Sequence, residues 1–129
     1  MTMQTTQQRR VRFALLALVA ALLAVPVSAH HGWGTYSTQE FDITGTVTTP
    51  LATAGPHATM QIKVDNQVWD LTLAPPNRTV GAGLKEGVIP VGATITAHGH
   101  RSLDPKKFEV KTERVTWNKR VFNVYPERD

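Results

Sequence analysis

From Phe41 onward the chain is patterned with period two. Phe41, Ile43, Gly45 and Val47 alternate with Asp42, Thr44, Thr46 and Thr48, which places one set on each face of an extended strand. Met60, Ile62 and Val64 repeat the spacing, as do Trp69, Leu71 and Leu73, and then Val91, Ala93, Ile95 and Ala97. Such runs specify half-buried strands. Pro50 to Pro56 interrupts the first as a loop, and Asp65-Asn66-Gln67 joins the second and third as a hairpin. Gly87 to Pro90, Asp104 to Lys107 and Asn118-Lys119 are the later turns. Phe108 and Val110 lie on even positions but Val115 and Trp117 on odd ones, so a bulge is expected near Thr112 to Arg114. A last strand runs from Val121 to Tyr125. One short helix is predicted after Ala74-Pro75-Pro76, with Asn77 as its N-cap and its end near Leu84.

This order is three strands, a short helix and two strands, with an extension at the end. It predicts an all-β fold, a five-stranded OB-fold-like barrel with one short helix. A small β-sandwich with a helical turn is the alternative. The expected core is Phe41, Ile43, Val47, Met60, Ile62, Trp69, Leu71, Ile95, Phe108 and Val110.

The first 29 residues are of another kind. Arg9-Arg10-Val11-Arg12 precedes an apolar run from Phe13 to Val25, and Val27-Ser28-Ala29 supplies small residues at −3 and −1. A basic start, an apolar stretch too short to span a bilayer and such a site define a cleavable signal peptide. The expected organisation is a signal peptide over 1–29, a flexible lead-in over 30–39 and an OB-like domain over 40–129. The product is periplasmic or secreted, by the general secretory route, with no membrane span after processing.

Charge narrows the partners. The chain has 14 Lys+Arg and 10 Asp+Glu. Removing Arg9, Arg10 and Arg12 leaves 11 against 10, and a near-neutral domain is a poor nucleic-acid binder. There are no cysteines, so a domain of this size is held by its core alone, and any metal site must use nitrogen and oxygen ligands.

The mature start His30-His31-Gly32-Trp33, the strand Phe41-Asp42-Ile43-Thr44-Gly45-Thr46-Val47, the motif Gly55-Pro56-His57-Ala58 and the stretch Val91 to Arg101 resemble a family of small secreted bacterial proteins of unknown function. Its members are similar to OB-fold barrels that begin with paired histidines and carry an Asn-Pro-His-Ala motif before the second strand. This chain departs from that pattern with Ala52-Thr53-Ala54-Gly55 before Pro56, and with His98-Gly99-His100 where an aromatic residue is more usual. The resemblance implies fold and location and supplies no activity.

All five histidines fall in three motifs, His30-His31, Pro56-His57-Ala58 and His98-Gly99-His100. Cleavage after Ala29 gives His30 a free amine beside its ring, a ligand pair that suits Cu(II). His30, His31 and His57 rank first as a joint site because the resemblance links their motifs. Strand geometry favours His98 and His100, whose strand end lies near the lead-in, although their parity points to the solvent face. Asp42 and Asp70 alternate outward and read as solvated. No nucleophile elbow, phosphate-binding glycine loop or His-Glu-x-x-His motif occurs, so enzyme readings are weak. Two classes of function stand open. One is an exported domain that binds copper or another transition metal through the mature terminal histidine. The other is a metal-free envelope scaffold that recognises a peptide, glycan or protein on the barrel face or an edge strand.

Overall fold

The computed structural model describes residues 32–128, and its elements follow the alternating runs. Strand β1 spans Tyr36–Ala52, β2 Thr59–Val64 and β3 Gln67–Thr72. A short helix α1 covers Pro76–Gly81, followed by β4 at Thr94–Ser102, β5 at Glu109–Trp117 and β6 at Arg120–Asn123. A 3₁₀ turn at Pro126–Arg128 follows.

The fold is mostly β-sheet. All six strands belong to one sheet in the order β3-β2-β1-β4-β5-β6, with β3 also pairing β5. The circuit β1-β2-β3-β5-β4 therefore returns to β1. Its closing contact is the parallel ladder Asp70↔Glu109, Leu71↔Val110 and Thr72↔Lys111; the other pairings are antiparallel.

The core is the set that the alternation marks. Val47, Met60, Ile62, Leu71, Ile95 and Val110 are fully buried, joined by Leu73, Leu84, Val115, Phe122 and Val124. Phe41 and Phe108 are half-buried and pack against that cluster. Phe41 meets Trp69, and Trp69 meets Phe108 edge-on.

Several local expectations are corrected. Strand β1 begins at Tyr36, which pairs with Ser102, so Tyr36 to Gln39 belong to the strand, with a register shift before Glu40. The Tyr36 hydroxyl donates to the Glu109 carboxylate, which fastens that start to β5. At its other end β1 continues through Pro50 to Ala52, where a register shift between Thr49 and Ala52 accommodates the proline. Helix α1 starts at Pro76 with Pro75 as its N-cap, because proline is pre-set for a first helical position. Asn77 Oδ1 instead accepts from the N–H of Arg78. Strand β4 begins at Thr94, and Val91 is exposed. The turn before β6 places Asn118 at φ 50° and Lys119 at φ 64°, the left-handed pair that a tight hairpin requires.

Leu71 is wholly buried on the strand that closes the circuit. Leu71→Ala should lower unfolding stability by about 2–5 kcal/mol in urea titration, as a cavity in a small core. An unchanged midpoint would contradict the register.

Candidate metal centre

The β1–β4 register sets acids opposite histidines. Glu40 faces His100 and Asp42 faces His98 across the antiparallel ladder, where directly opposed side chains are neighbours. Asp42 Oδ1 lies 2.7 Å from His98 Nδ1. His98 Nε2 lies 3.3 Å from Glu40 Oε2. His100 Nε2 lies 3.7 Å from Glu40 Oε1.

Strand β5 adds a third carboxylate by way of a bulge. His98 pairs Arg114 and Gly99 pairs Thr112, so Glu113 is the extra residue on β5. This is the bulge expected from the parity switch. A bulge kinks the strand and re-aims side chains, and here Val110 to Glu113 are buried in succession. The kink requires close backbone approach. A Cβ on Gly99 would stand 2.0 Å from the Lys111 carbonyl oxygen, so a side chain at 99 would separate the strands.

The Glu113 side chain is only 1% exposed. Its Oε1 lies 2.9 Å from His100 Nε2 and accepts from Arg128 Nε at 2.7 Å. Its Oε2 is buried and, among the described residues, has no hydrogen-bond partner. His100 Nδ1 donates to the Ser37 carbonyl at 2.7 Å. His100 is therefore buried and engaged at both ring nitrogens. This corrects the expectation that His100 faces solvent. Parity assigns a side chain to a sheet face, but here the start of β1 and Trp33 cover that face. The Trp33 ring meets His100 edge-on at 5.4 Å and Tyr125 at 5.0 Å, and the Arg128 guanidinium lies over it at 3.9 Å.

Glu40, His98 and Glu113 each offer a ligand atom, and these atoms lie within 4.8 Å of one another. Donors around a tetrahedral zinc stand about 3.4 Å apart, since its bonds are about 2.0–2.2 Å. Rotation of the half-exposed Glu40 side chain would have to close that difference, since Glu113 is buried. Asp42 behind His98 Nδ1 stands where an outer carboxylate would orient a metal-binding imidazole, with Nε2 directed toward Glu40. His100 differs in its partners, since its Nδ1 is held by the Ser37 backbone carbonyl and its Nε2 by the buried Glu113, whereas His98 Nε2 meets the half-exposed Glu40.

His57 is not part of this cluster. It lies in the loop between β1 and β2 and is half-buried. Burial lowers its pKa, and the charge of Lys111 lowers it further. His30 and His31 lie outside the described residues. Sequence reasoning missed Glu40, Asp42, Glu113 and Arg128; the bulge was the one available signal for Glu113.

Residues 17–111 match a family of unknown function, DUF6152, and the chain belongs to that family. Glu40, Asp42 and His98 fall within the matched segment, and Glu113 and Arg128 beyond it. No curated protein matches the chain. Two crystal structures are distantly similar. Apo TiaS, a tRNAIle2 agmatidine synthetase, is 15% identical with a TM-score of 0.48, covering 61% of this chain and 18% of that one. A ZRD-deleted mutant of TiaS in complex with agmatine is 12% identical with a TM-score of 0.48, covering 61% and 21%. The chain thus spans about a fifth of either protein's length. Among the described residues no helix is long and apolar enough to cross a membrane.

Beside the cluster, Lys111 is buried with its ammonium 5.4 Å from the Trp33 ring and 5.8 Å from that of Tyr125. Burial pushes its pKa below the ordinary 10.5, against the opposing pull of Glu109. The native state therefore releases this proton more readily than the unfolded chain. The unfolded state binds more protons between the native value and 10.5, so stability from this group rises with pH across that window. Lys111→Met should leave stability unchanged or raise it at pH 7 and flatten the rise toward pH 10, read by urea unfolding. A marked loss of stability at pH 7 would show that the ring contacts outweigh desolvation.

Proposed function

We propose that this protein is an exported OB-type barrel, periplasmic or secreted, that binds one divalent transition metal through Glu40, His98 and Glu113. The observation that carries this reading is the buried Glu113 carboxylate. One oxygen is anchored by His100 and Arg128, while the other has no partner among the described residues, and a carboxylate oxygen of Glu113 lies within 4.8 Å of ligand atoms of His98 and Glu40. Buried polar atoms normally find partners, and a cation at this position would supply one. One imidazole and two carboxylates, with no thiolate, suit Zn(II), Ni(II), Co(II) or Mn(II) better than Cu(I). The closed strand circuit with a helix between its third and fourth strands supports the OB-type reading.

Copper at the processed terminus is the second half of the proposal. A chain cut after Ala29 presents the His30 amine and imidazole, which suit Cu(II). The two sites are separable by experiment. Protein recovered from the periplasm should have an intact mass that begins at His30. Titrated with Zn(II), it should bind one equivalent. Asp42→Asn should weaken binding by roughly 10–100-fold, as loss of an outer-shell partner does, and His98→Ala or Glu113→Gln should weaken it more. An added alanine before His30, or His57→Ala, should leave Zn(II) affinity unchanged, and the added alanine should selectively weaken Cu(II). Zn(II) binding that is insensitive to His98 and Glu113 would overturn the site. With no binding of either ion, the metal-free scaffold reading would take its place.

A further inference from the structure

The carboxylate of Glu113 already has a cation. Arg128 Nε donates to Oε1 at 2.7 Å, and a buried carboxylate stripped of its counter-charge is strongly destabilising. Arg128 therefore performs, in the metal-free protein, part of the charge compensation that a bound ion would perform. A divalent ion on Glu40, His98 and Glu113 brings twice the charge to the same group. Two cations sharing one carboxylate in a low-dielectric site repel.

The geometry decides which of the two gives way. Glu113 and His100 are locked by burial. Arg128 is different: its side chain is 36% exposed, and it belongs to the three-residue turn Pro126–Arg128, closed by Arg128 N–H to the Tyr125 carbonyl at 3.0 Å. The rest of that turn is fastened independently. Glu127 pairs with Arg78, and the Val124 N–H donates to the Glu113 carbonyl at 2.9 Å. The Arg128 side chain can swing into water while the backbone before it stays in place.

We infer that Arg128 is a built-in competitor for the metal: it holds Glu113 in the metal-free state, is displaced when the ion binds, and so lowers affinity and couples occupancy to the Pro126–Arg128 turn. This inference rests on the metal reading above. Displacement also removes the guanidinium from the Trp33 ring, 3.9 Å away, and Trp33 packs on His100. Arrival of the ion is thereby transmitted to the segment that precedes β1.

The test uses Zn(II), which neither quenches fluorescence nor broadens resonances, with the exported protein and its Arg128→Gln, Arg128→Lys and His98→Ala variants. Calorimetry should show Arg128→Gln binding about tenfold more tightly than the parent or better, because a competing charge is gone. Arg128→Lys, which keeps the charge but loses the planar stack on Trp33, should bind more weakly than Arg128→Gln. In the parent, Zn(II) should shift the Arg128 Nε–H resonance toward its solvent-exposed position. That readout needs no variant, and it decides the matter if Arg128→Gln fails to fold. Equal or weaker binding by a folded Arg128→Gln, or an Arg128 resonance that ignores Zn(II), would overturn the competitor while His98-dependent binding left the metal site standing. A parent that binds no Zn(II), or binds it equally after His98→Ala, would overturn the metal reading itself.

Discussion

A carboxylate placed inside a small β domain must be compensated, and the junction of β1, β4 and β5 is organised by that need. Glu113 enters the interior because β5 carries one residue more than β4 can pair. Gly99 permits the approach, since any Cβ there would collide with the Lys111 carbonyl. Once inside, the carboxylate draws His100, Arg128 and the start of β1 around it. Ser37 receives His100, and Trp33 lies between His100 and Arg128. The long β1 strand and the terminal turn meet at one buried charge. The second carboxylate oxygen is left without a hydrogen-bond partner among the described residues.

This junction contrasts with the other polar groups of the domain. Thr44 and Thr96 satisfy each other across the strands. Gln61 bridges Thr49 and Asp70 at the surface. Glu109 accepts from both Tyr36 and Thr72, and that contact, with burial, pushes the Tyr36 phenol well above the ordinary tyrosine range. Each of these sets is closed on itself. The Glu40–His98–Glu113 group gathers two carboxylates and an imidazole around a shared space, with Asp42 behind the imidazole.

Much of the fold was legible because its signals are local. Period-two alternation located the strands and most of the core, Asn118-Lys119 marked a tight turn, and the change of parity marked the bulge. The failures share a cause. Strand parity says which sheet face a residue occupies but not what packs onto that face, so His100 was expected in solvent and is buried. Register between strands 56 residues apart is not written in either strand, so Asp42 is exposed, as its parity implies, but its contact with His98 was not foreseen. Arg128 sits in a charged segment with no periodicity, and only the folded chain brings it to Glu113. The histidines at 98 and 100 were candidates from residue type and from a strand end expected near the lead-in. Their different settings, one ring between the exposed Asp42 and Glu40, the other buried between the Ser37 carbonyl and Glu113, follow from geometry.

The central claim is that the domain carries a metal centre built on β1, β4 and β5. X-ray absorption at the zinc edge of the Zn(II)-loaded exported protein tests it most directly, because it reads the ligands. The account predicts a shell of oxygen and nitrogen at about 2.0–2.1 Å with the scattering of one imidazole, and loss of that imidazole signal in His98→Ala. A shell with two or more imidazoles that persists in His98→Ala would place the ion on other histidines and contradict the account.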